Sequence, residues 1–288
     1  MSTDAPSAAP AAPLAPGLYV CATPIGNLQD ASPRLLDVLA RADLVLCEDS
    51  RVTGKLLSAF GIKAKLDAYH DHNGDRVRPG VLARLAASES VALVSDAGTP
   101  LVSDPGYKLV RAVREAGHAI HAVPGPSAPL AALMVSGAPT DRFSFHGFVP
   151  RTEAGRRSLF GALTERDETL TFFETAPRLA ATLRVLGAVA PGRTVSVARE
   201  LTKRFEEVVT DAADVLARRY EDAAPKGEIV LIVHPPEPVA PDAAAVDEAL
   251  RAALAEHRVK DAAAKVADAT GLPRRDLYQR ALALKAEE

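Results

Sequence analysis

The stretch from Val91 to Tyr107, VALVSDAGTPLVSDPGY, constrains the fold of this chain more than any other. Val91–Val94 is a short apolar run that ends abruptly at Ser95-Asp96, as in a strand buried on both faces of a parallel sheet. In the turn that follows, Gly98 permits a positive φ and a close approach of a ligand to the main chain. Because ligands of open α/β sheets lie at the carboxyl ends of the strands, we expect a ligand pocket here. For this motif alone, an ordinary strand-to-helix turn is the alternative.

A second turn of the same kind follows the next predicted strand. Ala119–Val123 is strand-like, Pro124–Ser127 is a compact loop, and Ala128–Leu133 predicts an apolar helix with Ser127 as its N-cap. Two consecutive strand ends thus carry small-residue turns that can face one crevice. Neither turn is G-x-G-x-x-G, and the chain has no G-x-x-x-x-G-K-[ST] sequence. The common phosphate cradles are therefore not supported, and a ligand without a phosphate fits better.

Charged residues follow another predicted buried strand, Leu44–Cys47. Glu48 and Asp49 are two carboxylates beside the guanidinium of Arg51, and such a group can orient a hydroxyl and take its proton. The alternative is a capped helix start, with Asp49 or Ser50 as the N-cap of a helix over Val52–Phe60. Both roles can coexist.

The length of 288 residues predicts about two domains. We expect a disordered Ala/Pro/Ser-rich tail over 1–16, without the features of a signal peptide, and an N-terminal α/β domain over 17–138. The pattern restarts after it and predicts a C-terminal α/β domain over 139–235. A Pro-rich linker, Pro235–Pro241, then leads to helices over 242–288 with a helix-turn-helix shape.

Composition excludes few functions. No apolar run reaches membrane-spanning length, and Cys21 and Cys47 both lie in apolar strand-like runs, as expected of core residues in a reducing compartment. The net charge of −3 does not favour binding of free RNA, although local basic patches can still contact phosphate.

Several charged residues are candidates for contacts with a substrate. A cluster of arginines leads into a predicted helix, and its members are candidates either for contact with RNA phosphate or for an exposed helix face. Charged residues at the strand ends of the second domain are candidates for the other wall of a cleft. The alternative is that they lie in solvated turns. A His-x-His loop lacks a third metal ligand of matching spacing, and it suits a substrate-side or a solvated loop. In the order of these three groups, the residues are Arg151, Arg156 and Arg157; Arg199, Glu200 and Lys203; and His70 and His72.

The motifs together resemble those of the ribosomal RNA small subunit methyltransferase I family, which belongs to the tetrapyrrole methylase superfamily. The order and spacing match from about Gly17 to Val233, with a further match in the C-terminal segment. Ser50 departs from the family, which more often has Thr there, but keeps a hydroxyl. The motifs are Thr23–Leu28, Glu48–Arg51, Ser95–Pro100, Ser103–Gly106, Pro124–Ala128 and Pro139–Phe143.

The resemblance implies a two-lobed α/β fold, the class III fold of S-adenosylmethionine (SAM) methyltransferases, with a C-terminal helical appendage. It implies SAM as cofactor, no metal, a homodimer, a cytoplasmic location, and 2′-O-methylation of a cytidine in the decoding region of 16S rRNA within the 30S subunit. The cofactor-binding residues that it implies are Pro24, Asp96, Ala97, Gly98, Thr99, Val102, Ser127, Ala128, Phe173 and Glu174. Glu48 or Asp49 is then the candidate for proton removal, and Arg51 for holding a phosphate or the ribose.

Two other functions stay open. A tetrapyrrole C-methyltransferase has the same fold, although the C-terminal helices and the basic cluster favour RNA. The other alternative is a non-catalytic RNA- or ribosome-binding protein that retains a vestigial pocket.

Overall fold

The computed structural model of the chain describes residues 13–70, 72–223, 225–236 and 242–287. The chain divides into two compact units, Met1–Pro235 and Pro236–Glu288. Most of the predicted tail, residues 1–12, and most of the predicted linker, residues 237–241, lie outside the described residues.

Strands and helices alternate along the first part of the chain. The strands are β1 (Gly17–Cys21), β2 (Leu44–Cys47), β3 (Leu66–Ala68), β4 (Ser90–Val94) and β5 (Ile120–Val123). The helices are α1 (Pro33–Arg41), α2 (Ser50–Ala59), α3 (Gly74–Ala86), α4 (Tyr107–Glu115) and α5 (Ala128–Ser136). All strand pairs are parallel, in the order β3-β2-β4-β1-β5, so the carboxyl ends of β1, β2, β4 and β5 meet at one edge.

Both faces of this first sheet are buried, as the apolar runs predict. Successive residues of β1 and β4 alternate between two core clusters: Tyr19 and Ala92 pack on one face, and Leu18 and Leu93 on the other. Cys21 belongs to the first of these clusters as a free thiol, and burial raises its pKa to about 12, so it is an unreactive core residue.

A second five-stranded sheet follows, and it is mixed. Its strands are β6 (Phe143–Phe148), β7 (Thr169–Thr175), β8 (Thr194–Arg199), β9 (Glu207–Ala212) and β10 (Glu228–Val233), in the order β6-β7-β10-β8-β9. Only the pair of β6 and β7 is parallel among them. The helices α6 (Glu153–Leu163), α7 (Leu179–Val189) and α8 (Ala213–Asp222) belong to this part, and their apolar sides form a core with it.

The second compact unit contains three helices, α9 (Ala243–Glu256), α10 (Val259–Thr270) and α11 (Arg274–Glu287). Alanine, valine and leucine side chains from all three form its core, including Leu250, Ala263 and Leu277. Gly271, at φ 70°, ends α10 and begins the short turn into α11, as the predicted helix-turn-helix shape requires.

Candidate functional site

A cavity of about 710 Å³ opens at the carboxyl edge of the first sheet and is also lined by the second sheet. The prediction that the turns of Gly98 and Ser127 face one crevice is confirmed, because both residues line it. Nine of the ten expected cofactor-binding residues line this cavity, namely Asp96, Ala97, Gly98, Thr99, Val102, Ser127, Ala128, Phe173 and Glu174. The tenth, Pro24, lines a smaller neighbouring cavity of about 310 Å³.

Main-chain hydrogen bonds fix the turn after β4 against its neighbours. Gly98 and Thr23 exchange two backbone hydrogen bonds, at 2.9 and 3.1 Å, and the Thr99 hydroxyl donates to the Pro126 carbonyl at 3.1 Å. Gly98 has φ 79°, and a Cβ at this position would lie 3.3 Å from Ile25 Cγ2. The turns after β1, β4 and β5 are thus bound to one another, and the backbone conformation at position 98 requires a glycine.

Ser127 is the N-cap residue of α5, as expected, but its hydroxyl makes no capping hydrogen bond. Because Ser127 also lines the cavity, this hydroxyl and the amide of Ala128 are available to a polar ligand, whereas Pro129 has no amide hydrogen. The capping prediction therefore holds for the position and not for the hydrogen bond.

Two aromatic rings line the same cavity, that of Phe173, which was expected there, and that of Phe148, which was not. The pairing of β6 with β7 shifts register between Phe145 and Phe148, and Gly147 within this bulge has φ 66°. Phe148 is 56% exposed although it lines the cavity, and its ring lies 5.2 Å from that of Phe173. Gly147, inside an otherwise alternating strand, is the sequence signal for such a bulge.

Glu174 also lines the cavity, but its carboxylate faces the protein interior. The side chain is fully buried and accepts hydrogen bonds from the Thr182 hydroxyl at 2.6 Å and the Thr175 amide at 2.7 Å, and it pairs with Arg178 at 3.2 Å. Any contact of Glu174 with a ligand would therefore involve its main chain, because the carboxylate is already bound.

Carboxylates gather where β2 and β4 end. The main-chain amide of Asp49 donates to Asp96 Oδ1 at 3.0 Å, which holds the two strand ends together. The Asp49 carboxylate pairs with Arg51 at 2.6 Å, and hydrogen bonds from the side chain and amide of Arg51 lower the pKa of Asp49 to about 2. Asp49 is also the N-cap of α2, so the structural role considered for it is confirmed.

Asp104 is a site residue to which the sequence analysis gave no role, although it lies in the Ser103–Gly106 motif. It lines the large cavity. Its pKa is raised to about 6, mainly because the half-buried carboxylate is partly removed from solvent and also because Glu48 and Asp96 lie nearby, while a hydrogen bond with Ser95 opposes the rise. Glu48, Asp49 and Arg51 are not among the described residues that line either cavity.

The smaller cavity is lined by the turn after β1, by α2 and by Lys203. The Lys203 ammonium pairs with Glu200 at 2.9 Å and with Glu228 at 2.6 Å. Its stem packs closely over Gly26, where a Cβ would lie 2.5 Å from Lys203 Cε. Lys203 therefore links the first sheet's turns to the second sheet at the rim of this cavity.

The other residues predicted to contact substrate lie outside both cavities. Arg156 is buried, and its guanidinium donates to the carbonyls of Pro150 and Arg151, so it holds that loop in place and is not free for phosphate. Arg151 and Arg157 are exposed near the start of α6. Four further residues are in this group: His70 and His72, whose rings are 6.0 Å apart, Arg199, which pairs with Glu207 at 3.2 Å, and Glu200, which pairs with Lys203.

Two absences concern the described residues. No group of three or more His, Cys, Asp or Glu side chains is arranged to hold a metal ion within them. None of the helices in the described ranges combines the length and apolar character needed to cross a bilayer.

Family models match both units of the chain. The model for Tetrapyrrole (Corrin/Porphyrin) Methylases matches residues 17–217. The model for the RsmI C-terminal HTH domain matches residues 240–285, which include α9, α10 and all but the last two residues of α11. A solved uroporphyrin-III C-methyl transferase from Thermus thermophilus, complexed with S-adenyl homocysteine, has the same fold at 19% identity, with a TM-score of 0.52 over 76% of this chain and 97% of that chain.

Curated relatives are similar over nearly the whole chain. The protein named ribosomal RNA small subunit methyltransferase I from Mesorhizobium japonicum is 47% identical, covering 96% of this chain and 95% of the relative. The protein of the same name from Erythrobacter litoralis is 48% identical, covering 96% and 98%. The chain therefore belongs to the ribosomal RNA small subunit methyltransferase I family, within the tetrapyrrole methylases.

Proposed function

We propose that this chain is a SAM-dependent methyltransferase that methylates the 2′-hydroxyl of a cytidine ribose in the decoding region of 16S rRNA. The observation that carries this proposal is the 710 Å³ cavity, which combines main-chain groups at the Gly98 turn with the aromatic rings of Phe148 and Phe173. The relatives' common name supplies the class of substrate, rRNA of the small subunit.

The residues of the cavity fit SAM. Gly98 has no side chain, so the polar methionine end can approach the main chain of Ala97 and Thr99 in this turn, and a Cβ at Gly98 would crowd Ile25 at 3.3 Å. The Ser127 hydroxyl makes no capping hydrogen bond and can therefore bond to SAM. Phe148 and Phe173 provide an apolar surface for the adenine. The cavity's volume of about 710 Å³ lies within the usual range for small-molecule sites, about 300–1,000 Å³.

The reaction requires mainly that the methyl donor and the acceptor hydroxyl are positioned correctly. SAM supplies a methyl group on a sulfonium sulfur, which is already activated for transfer. The chain has to hold the acceptor oxygen in line and take up its proton. The turn after β4 holds the donor in this proposal, and the carboxylates at the ends of β2 and β4 lie beside it.

The substrate side extends beyond the cavity. We assign contacts with RNA phosphate to Arg151 and Arg157, which are exposed, and to Lys203 at the rim of the smaller cavity. Arg51 is 86% exposed, so its guanidinium can contact a phosphate or the ribose while it remains paired with Asp49. His70 and His72 belong to the same substrate side. In this proposal residues 17–138 and 139–235 form two lobes, and the enzyme acts in the cytoplasm as a homodimer on the 30S subunit.

The decisive experiment is methyl transfer from labelled SAM, with 30S subunits, free 16S rRNA and a porphyrinogen as parallel acceptors. We expect label in the 16S rRNA of 30S subunits and, by mass spectrometry of nuclease fragments, in the ribose of a cytidine. Label in the porphyrinogen alone would overturn the proposal in favour of a tetrapyrrole methyltransferase.

Calorimetry with SAM is the second measurement, because it tests the pocket without any acceptor. We expect saturable binding of one SAM per chain. Absence of binding together with retained affinity for 30S subunits would show a non-catalytic ribosome-binding protein instead.

A further inference from the structure

The group that takes the acceptor's proton is the open question of the proposed reaction. Asp49 is poorly suited, because its carboxylate is bound by Arg51 through Nε at 3.0 Å and Nη2 at 2.6 Å while it also caps α2. These bonds stabilise its charged form, which makes it a weak base. Glu48 is not among the described residues that line either cavity.

Asp104 has the position that Asp49 lacks. It lies in the turn between β4 and α4, in the wall of the large cavity, close to the Gly98 turn. It takes part in none of the ion pairs formed by the described residues, and Ser95 is its hydrogen-bond partner. Its carboxylate is therefore exposed to a ligand in the cavity and is not engaged by a cation.

The surroundings of Asp104 also favour proton uptake. Two carboxylates lie near it, Glu48 from the end of β2 and Asp96 from the end of β4, while Lys226 and Glu228 line the same cavity from the second sheet. Burial and these like charges raise the pKa of Asp104 to about 6. A carboxylate of this kind is deprotonated at neutral pH and still binds a proton far more tightly than Asp49 does.

We propose that Asp104 is a catalytic residue that removes the proton of the acceptor hydroxyl during methyl transfer. As the acceptor oxygen forms its bond to the methyl carbon, the O–H bond breaks and its proton passes to the Asp104 carboxylate. The electron pair of the carbon–sulfur bond stays on sulfur, so charge and atoms balance without another reactant. The inference rests on the proposed function, since it needs a hydroxyl acceptor.

The test compares Asp104→Asn and Asp104→Glu with the wild type and with Asp75→Asn, a control on α3 outside both cavities. We expect Asp104→Asn to lower the single-turnover rate on 30S subunits by about 10²-fold or more, which is the usual effect of losing a general base. Asp104→Glu should restore part of the rate, and Asp75→Asn should keep it. Calorimetry should give all four proteins the same affinity for SAM, within about threefold.

Two further readouts separate catalysis from structure. The wild-type rate should rise about tenfold per pH unit below pH 6 and level off above it, as for a single essential base. Carboxyl ¹³C NMR of the ligand-free protein should show Asp104 titrating near pH 6, a signal that needs no activity. A signal that titrates near pH 4 would contradict the proposal even if the variants fail to fold.

The remaining outcomes are also decisive. If Asp104→Asn transfers methyl groups within threefold of the wild type, or loses SAM binding together with activity, Asp104 is not the base. If the wild type itself binds SAM but labels no RNA, the proposed function fails, whereas an active wild type with an active Asp104→Asn variant overturns only this inference.

Discussion

Thr23 and Gly98 form a two-residue antiparallel bridge, with each main-chain amide donating to the other's carbonyl at 2.9 and 3.1 Å. The strands that precede them, β1 and β4, are parallel neighbours. The bridge therefore extends the sheet beyond its regular edge and holds two turns against each other where the cavity begins. A change in the Gly98 backbone must move the Thr23 turn as well.

The first prediction follows from this coupling. Gly98→Ala places a Cβ 3.3 Å from Ile25 on a backbone at φ 79°, so we expect SAM affinity to fall about tenfold, or about 1.4 kcal/mol. Gly117→Ala is the control, because φ there is 76° and its Cβ would meet nothing within 4 Å. Calorimetry and thermal melts should show a similar loss of stability in both variants, but weaker SAM binding in Gly98→Ala alone. Equal SAM affinities would contradict the coupling.

Phe148 provides the second prediction, because its exposed ring forms the cavity wall beside Phe173. We expect Phe148→Ala to weaken SAM binding by about 1 kcal/mol, or roughly fivefold, as for loss of one aromatic face from a nucleoside. Phe143→Ala is the matched control, since Phe143 begins the same strand, is 42% exposed and does not line the cavity. If the two variants bind SAM equally well in calorimetry, the aromatic wall plays no part in binding.

The third prediction concerns the buried carboxylate of Glu174. Thr182→Val removes its 2.6 Å hydrogen bond, and we expect the free energy of unfolding to fall by about 1.5–3 kcal/mol, as for other hydrogen bonds to charged groups. In the control Thr164→Val, the Phe160 carbonyl that accepts the hydroxyl at 2.8 Å also accepts the Thr164 amide at 2.9 Å. Its loss should stay below about 1 kcal/mol in denaturant titrations. A control that loses as much as Thr182→Val would contradict this account.

The fourth prediction addresses the helical unit. Arg274 and Arg275 are exposed at the start of α11 and form none of the ion pairs seen in the described residues, whereas Arg280 pairs with Asp247 at 2.5 Å. Residues at the start of the second helix of a helix-turn-helix commonly contact nucleic acid. We expect Arg274→Gln with Arg275→Gln to weaken binding to 30S subunits and to reduce the slope of log K against log salt concentration by about 2.

The control for the helical unit carries the same change in net charge. Arg111→Gln with Arg114→Gln alters two exposed arginines of α4 instead. Binding of both double variants to 30S subunits is measured over a salt series. Equal slopes for the two double variants would mean that α11 does not contact the RNA.

Local pattern was sufficient to predict the first sheet and its turns, because buried parallel strands are continuous apolar runs and their ends are abrupt. Phe148 and Asp104 escaped prediction for a different reason. The exposure of Phe148 depends on a register shift against β7. The environment of Asp104 depends on its partial burial in the cavity wall and on the nearby Glu48, which is distant in sequence and near only in the folded sheet. Arg156 resembled its exposed neighbours in sequence, yet it is buried by the loop carbonyls that it binds.

The fifth prediction uses the pKa of Asp104 as a probe of stability. Because burial raises this pKa from 3.8 to about 6, the native state holds a proton more tightly than the unfolded chain does. The wild type therefore loses stability as pH rises from about 4 to 6, and the penalty is constant above that window. Asp104→Asn removes the charge, so its Tm should exceed that of the wild type above pH 6 and approach it below pH 4.

Asp75→Asn serves as the control for this comparison, because its Tm relative to the wild type should not rise with pH as that of Asp104→Asn does. A hydrogen bond from the Arg78 side chain lowers the pKa of Asp75, so its carboxylate stabilises the native state above its unfolded pKa of 3.8. Loss of that charge should lower Tm at neutral pH or leave it unchanged, and it should never raise it. Thermal melts of the three proteins between pH 4 and pH 8 decide the matter: if Asp104→Asn melts below the wild type at pH 8, the Asp104 carboxylate is stabilised in the fold and cannot have the raised proton affinity that a base at this position needs.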